Sequence, residues 1–306
     1  MFLKKIKNLY HEQLDELYGN EEVTSFFFII LDHLHQMKRV DLALQPDFSI
    51  DDNQLKKWDE ILQELKKEKP IQYIIGETEF YGLRFFVNEN TLIPRQETEE
   101  LAALILNDFK FQTEPVEVSH LKILDIGTGS GCIPIALKKN LPEASVYAID
   151  ISEKALAMAK KNAIENKVDV NFIRTDILKV NDLQNLSASV TLSLSKCHLP
   201  TQFDIIVSNP PYVRNLEKHE IKKNVIDYEP HLALFVEDDD ALLFYKKIAQ
   251  LAKQSLSKNG KLYFEINQYL GKETVALLKE LGFKNIELRK DIYGNDRMIK
   301  CASYEV

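Results

Sequence analysis

The sequence predicts an α/β chain: an open sheet covered by helices on both faces, preceded by a small helical domain and joined to it by a β-hairpin. Three observations carry that reading. From residue 121 onward, short apolar runs alternate with segments of helical period, the pattern of strand-helix-strand units in a parallel sheet. A glycine-rich turn, Asp125-Ile126-Gly127-Thr128-Gly129-Ser130-Gly131, lies between the first of these runs and the helix that follows it. Farther on, the apolar run Phe203-Asp204-Ile205-Ile206-Val207 stops at Ser208-Asn209-Pro210-Pro211-Tyr212. The two prolines offer no N–H to a ladder, so a strand ends there, at the edge where open α/β sheets place ligands.

Composition bounds the function classes. The chain of 306 residues has room for one large domain and a small one, and its 45% hydrophobic content is enough for a substantial core. A formal charge of -8 argues against duplex nucleic acid as the main partner, which needs a basic face. Cys132, Cys197 and Cys301 are widely spaced and odd in number. They provide neither a disulfide framework nor a Cys-x-x-Cys metal site, and a reducing cytoplasm is expected. The basic start, Met1 to Lys7, lacks a continuous apolar core and a small-residue cleavage site, so no signal peptide is expected. The apolar run 26–31 is too short to cross a bilayer and reads as the buried face of a helix.

Taken in order, residues 1–69 carry apolar positions at helical spacing: Leu3, Ile6, Leu9 and Tyr10; Leu14 and Leu17; Leu55, Trp58, Ile61, Leu62 and Leu65. They predict a small helical bundle. Its ten Lys and Arg against fourteen Asp and Glu suit a protein-facing or solvated module better than a DNA reader; a mere cover for its neighbour's core is the other reading. From Pro70 the pattern turns strand-like, Gln72-Tyr73-Ile74-Ile75 and then 79–87 around Gly82, which predicts a hairpin linker over 70–98. Leu92-Ile93-Pro94-Arg95-Gln96-Glu97-Thr98-Glu99 is a turn entering a helix that runs to about Asp108. Arg95 and Glu97 stand there either along a cleft or as surface and helix-start charges.

Residues 99–306 form the large domain. After a linker over 111–119, strands at 121–126, 146–149, 170–174, 203–208, 261–266, 284–289 and 298–304 alternate with helices at 132–140, 153–166, 241–257 and 272–281, Ser152 being the cap of the second helix. The serine-rich stretch 185–201 breaks this order and reads as an inserted hairpin or a loop without chemistry.

The glycine-rich turn lets backbone approach a ligand closely, but its G-x-G-x-G spacing lacks the dinucleotide fingerprint. Asp150 ends the second strand, a little over twenty residues beyond Gly127, where a carboxylate accepts the hydroxyls of an adenosine ribose. Asp176, after the third strand, is placed for the adenine edge and Ile177 for its face. The Asn209 turn suits a different task, gripping a flat NH2 group. Together these parts describe an S-adenosylmethionine-dependent methyltransferase acting on a planar amino group.

A resemblance narrows the reading. Asp125 to Gly131 with Asp150 look like the cofactor site of class I methyltransferases, and Asn209-Pro210-Pro211-Tyr212 resembles the motif of enzymes that methylate amide or exocyclic amino nitrogens. Gln72-Tyr73-Ile74, Glu79-Phe80-Tyr81-Gly82-Leu83, Ile93-Pro94-Arg95, Tyr228-Glu229-Pro230 and Asn295-Asp296-Arg297 are similar to the release factor glutamine methyltransferases, the PrmC/HemK type. The likeness covers nearly the whole chain apart from the serine-rich stretch.

The resemblance implies a Rossmann-like class I sheet and methylation of the glutamine side-chain nitrogen in the Gly-Gly-Gln motif of class I peptide chain release factors. It further implies S-adenosyl-L-methionine as cofactor, S-adenosyl-L-homocysteine as product, no metal, and neither nucleic acid nor membrane as direct partner. Cofactor contacts are expected from Asp125, Gly127, Thr128, Gly129, Ser130, Gly131, Asp150, Asp176, Ile177 and Asn209. Asn209 Oδ1 and the Pro210 carbonyl are expected to accept the two N–H bonds of the substrate amide, with Pro211 lining the site and Tyr212 packing on the amide plane. Gln96 stands where the family usually has proline, predicting a looser turn. The competing readings are a nucleic-acid adenine methyltransferase and a non-catalytic adenosylmethionine-binding module.

Overall fold

A computed structural model describes residues 1–45, 47–110, 121–186 and 199–303. The expected linker over 111–119, most of the serine-rich stretch and Cys197 lie outside them. The chain divides into two compact units, one of residues 1–76 with 222–228 and one of 77–221 with 229–306.

The first unit is helical: α1 (Leu3–Tyr18), α2 (Asn20–His35), α3 (Arg39–Leu44), α4 (Asp52–Leu65) and α5 (Ile71–Ile75). Its helices turn one apolar stripe inward, and Leu3, Ile6, Tyr10, Phe27 and Trp58 are almost completely buried. The run 26–31 lies within α2 as expected, with Phe26, Phe27, Ile30 and Leu31 buried. No described helix is long and apolar enough to cross a membrane.

The strand expected over 72–75 is the helix α5 instead. The Pro70 carbonyl accepts from Tyr73 and Ile74 N–H, and Gly76 ends the turn in the left-handed region at φ 79°. Burial of Ile71 and Tyr73 outweighs the strand preference of the β-branched residues.

In the second unit, β1 (Glu77–Phe80) and β2 (Leu83–Phe86) form the expected hairpin. Its two-residue turn holds Tyr81 at φ 53° and Gly82 at φ 72°, the doubly left-handed geometry that matches strand twist. The sheet follows, with α6 (Gln96–Lys110), β3 (Lys122–Ile126), α7 (Cys132–Asn140), β4 (Ser145–Asp150), α8 (Glu153–Glu165), β5 (Asn171–Arg174) and β6 (Phe203–Ser208). A small parallel pair, β7 (Val213–Arg214) and β8 (Phe235–Val236), flanks α9 (Lys223–Tyr228), which packs in the first unit. Next come α10 (Leu243–Ser255), β9 (Leu256–Glu265), α11 (Gly271–Glu280), β10 (Lys284–Lys290) and β11 (Asp296–Ala302). Ser152 caps α8, accepting from Ala155 N–H at 3.2 Å.

The seven-stranded order is β10-β11-β9-β6-β3-β4-β5. From β9 through β5 the pairing is parallel, but β11 runs antiparallel to both neighbours, so the wholly parallel sheet expected from alternation is in fact mixed. The connection from β10 to β11 is a tight turn in which Asp291 N–H donates to the Asn295 carbonyl, too short for a parallel crossover. Two apolar cores cover the sheet, one beneath α6, α7 and α8 and the other beneath α10 and α11.

Candidate active site

Strand register brings the two sequence motifs together. β3 and β6 are adjacent and parallel, with Ile126 opposite Ser208, so the glycine loop and the Asn209 turn leave the sheet side by side at its carboxyl edge. The Ser208 hydroxyl donates to the Ile126 carbonyl at 2.6 Å, pinning the two exits. A Cβ at Gly127 would lie 3.9 Å from the Asn209 carbonyl oxygen. Between the motifs is a cavity of about 380 Å³, within the range of small-molecule sites.

Gly127, Thr128, Gly129, Ser130, Asp150, Asp176, Ile177, Asn209, Pro210 and Pro211 all line the cavity. Gly127 and Thr128 N–H both donate to the Ile149 carbonyl, folding the loop over the end of β4. Gly127, Gly129 and Gly131 have φ of 79°, 55° and 81°, conformations that L side chains resist. Asp150 is already engaged: Oδ2 accepts from Gly129 N–H and Oδ1 from Ser152 N–H, both at 2.8 Å. Each oxygen retains a second lone pair for a ligand hydroxyl. Asp176 accepts from Leu178 N–H at 3.1 Å and pairs with Lys179.

Asp125 and Gly131 do not line the cavity. Asp125 is fully buried, and among the described residues neither carboxylate oxygen has a hydrogen-bond partner. Burial pushes its carboxyl up to about 7; the Thr128 hydroxyl opposes the shift and the negative Asp150 adds to it. A buried carboxylate without a partner is costly, and the raised pKa favours the neutral acid over that charge.

Tyr212 differs from expectation. It is absent from the cavity lining, and its hydroxyl donates to Glu265 Oε1 at 3.0 Å. The chain turns after Pro211 so that Tyr212 and Val213 N–H both donate to the Leu234 carbonyl, which carries the ring into the α10 side of the core.

Arg95 lines the cavity, bonded through Nη2 to the buried Glu229, whose other oxygen takes Ile93 N–H at 3.1 Å. Glu97 does not line it. At Gln96 the turn is closed, since the Arg95 carbonyl accepts from Thr98 and Glu99 N–H and so starts α6. Sequence reasoning missed Thr98 and Glu265. Thr98 lines the cavity and bonds both Asn209 and Glu265. The available signal for Glu265 was a carboxylate at the end of an apolar strand.

Comparison with known proteins identifies relatives along nearly the whole chain. Residues 11–76 match the family model of the PrmC N-terminal domain and 96–232 that of the methyltransferase small domain. A release factor glutamine methyltransferase of Flavobacterium psychrophilum is 58% identical over 300 residues, covering 98% of this chain and 99% of that protein. Another from Bacteroides thetaiotaomicron is 39% identical, covering 97% and 99%. Among solved structures, the hMettl16 catalytic domain in complex with MAT2A 3'UTR hairpin 6 superposes with a TM-score of 0.52 at 17% identity, over 89% of this chain and 94% of that one. That likeness shows the fold alone.

Proposed function

The chain belongs to the release factor glutamine methyltransferase family, and from that premise we propose that it transfers a methyl group from S-adenosylmethionine to the glutamine side-chain nitrogen of the Gly-Gly-Gln motif in peptide chain release factors. The observation that carries the reading is the shared cavity: a carboxamide turn and a glycine loop open into one space from adjacent strands in register. The residues fit the cofactor. Asp150, on the cavity lining, has lone pairs that would take ribose hydroxyls, and Asp176 with Ile177, also on the lining, would flank the adenine end; Asp125 lies behind the lining without a hydrogen-bond partner among the described residues, and its charge, when ionised, would favour a cationic ligand. When bound, the cofactor supplies an activated methyl on a sulfonium.

The protein's own task is alignment. An amide nitrogen is a poor nucleophile because its lone pair is delocalised into the carbonyl. Asn209 Oδ1 and the Pro210 carbonyl accept the two N–H bonds of the substrate carboxamide, turning the nitrogen lone pair toward the methyl donor. The same two oxygens meet the positive charge that develops on nitrogen, a preorganised interaction stronger in the transition state than before it, and the nitrogen then sheds one N–H proton to water to leave the neutral N-methyl amide. Positioning of this kind supplies several of the ~7–11 kcal/mol available from orientation.

The test is mass spectrometry of a purified release factor incubated with the protein and isotopically labelled cofactor, with adenine-containing DNA as competing substrate. A labelled methyl on the Gly-Gly-Gln glutamine is expected. Label only in the DNA overturns the substrate assignment.

A further inference from the structure

We propose that Thr98 and Glu265 are positioning residues that lock the Asn209 carboxamide with its oxygen turned toward the substrate. The proposal rests on the methyl-transfer reading above and assigns residues outside the two motifs that define the site.

The direction of the hydrogen bonds carries the inference. Thr98 Oγ1 donates to Glu265 Oε2 at 2.6 Å, and the Tyr212 hydroxyl donates to Oε1 of the same carboxylate. An ionised carboxylate only accepts, and a threonine hydroxyl has a single proton. With that proton on Glu265, Thr98 Oγ1 faces Asn209 with lone pairs alone. Asn209 must therefore present its NH2, and Nδ2 donates to Thr98 Oγ1 at 3.2 Å. A rotation of the amide by half a turn would set oxygen against oxygen. It would also offer NH2 to the NH2 of the substrate, removing the acceptor that methyl transfer requires.

The remaining contacts hold the relay in place. Glu265 ends β9 and is 1% exposed, where a carboxylate survives only with its lone pairs engaged. Arg297 on β11 reaches the Tyr212 hydroxyl at 3.5 Å and the Ile266 carbonyl at 3.4 Å, and is itself paired with Asp291 at 3.2 Å. Burial raises the carboxyl pKa of Glu265, while the Thr98 and Tyr212 hydrogen bonds and the Arg297 charge oppose the shift. Thr98 sits on α6, Tyr212 follows β6 and Glu265 ends β9, so three separate elements determine one rotamer.

The experiment compares Thr98→Val, Thr98→Ser, Asn209→Ala and the double variant Thr98→Val/Asn209→Ala in the full chain, measuring kcat, cofactor affinity and thermal unfolding. Thr98→Val keeps the shape but not the hydroxyl. It is expected to lower kcat about 10- to 100-fold, the scale of a lost orienting partner, with cofactor affinity unchanged. Thr98→Ser restores turnover, and on the Asn209→Ala background Thr98→Val has no further effect. Undiminished kcat in Thr98→Val, or the same loss with and without Asn209, overturns the proposal.

A second readout needs no substrate: a nuclear Overhauser contact between the Asn209 side-chain NH2 and the Thr98 methyl group in the wild-type protein. Its absence overturns the relay, and its presence supports it. Failure to methylate a release factor would count against the substrate assignment, while this contact still decides the relay.

Discussion

Asn209 concentrates the chemistry of the site in one carboxamide. Replacing it with alanine removes an acceptor used in the transition state and leaves the glycine loop untouched. Asn209→Ala is expected to lower kcat by roughly 10²–10³ while cofactor affinity, measured by calorimetry, stays within a few-fold. Near-normal turnover would remove Asn209 from the mechanism. Asp125 gives a prediction with a pH signature. Its carboxyl is pushed from an ordinary 3.8 up to about 7 by burial, so between those values the unfolded chain has released a proton that the folded chain still holds. Stability contributed by this group is therefore lost as pH rises from about 4 to about 7, and the full penalty persists above. Asp125→Asn escapes the penalty. In the ligand-free protein its melting temperature should gain on the wild type from pH 5.5 to pH 8, by an amount equivalent to about 1–3 kcal/mol, while affinity for the cationic cofactor falls. A difference that does not change with pH would refute the assignment.

Elements place these groups, and backbone conformation decides where substitution is tolerated. Gly131 has φ 81°, and a Cβ there would meet Ala159 Cβ and Ile135 Cδ1 at 3.0 Å, wedging α7 from α8. Gly82, at φ 72° in the hairpin turn, has nothing within 4 Å. Gly131→Ala is expected to cost about 2–4 kcal/mol, left-handed strain plus overpacking, and Gly82→Ala about 1–2 kcal/mol from strain alone. Equal losses in denaturant titrations would contradict the packing argument. The hairpin is also tied down by a buried side chain that sequence reading passed over. Asn162 on α8 accepts from Phe86 N–H at 2.7 Å and donates to the Phe86 and Ser130 carbonyls. One amide thus satisfies backbone groups of the hairpin and of the glycine loop, which were expected to belong to separate segments.

Across the whole chain, the division into two units has a consequence for stability. Residues 1–76 close their own core around Trp58, Phe27 and Tyr10. The returning segment 222–228 adds the Tyr228 hydroxyl bond to the Lys67 carbonyl and the exposed pairs Lys222–Glu22 and Lys223–Glu68. Exposed pairs contribute about 0–1 kcal/mol each. A fragment of residues 1–76 is therefore expected to unfold cooperatively by circular dichroism, and Phe27→Ala within it, costing about 3–5 kcal/mol, to abolish the transition. A gradual, non-cooperative melt of the unmodified fragment would show that the core depends on the returning segment.

Sequence by itself determined the α/β class, most strands and helices of the large unit, and both site motifs, because period, glycine spacing and paired prolines act over a few residues and leave a local signature. Phe203–Ser208 and Cys132–Asn140 have the expected bounds for that reason. Tertiary structure alone decided the helix over Ile71–Ile75, where burial overrode strand preference, and the antiparallel insertion of β11 between β9 and β10. It also decided that the Tyr212 hydroxyl meets Glu265, and that Thr98, 111 residues from Asn209, sets the direction of its amide. Hydrogen-bond partners so distant in sequence leave no periodic trace. They meet only because parallel pairing of β3 with β6 and of β6 with β9 carries the strand ends to one edge.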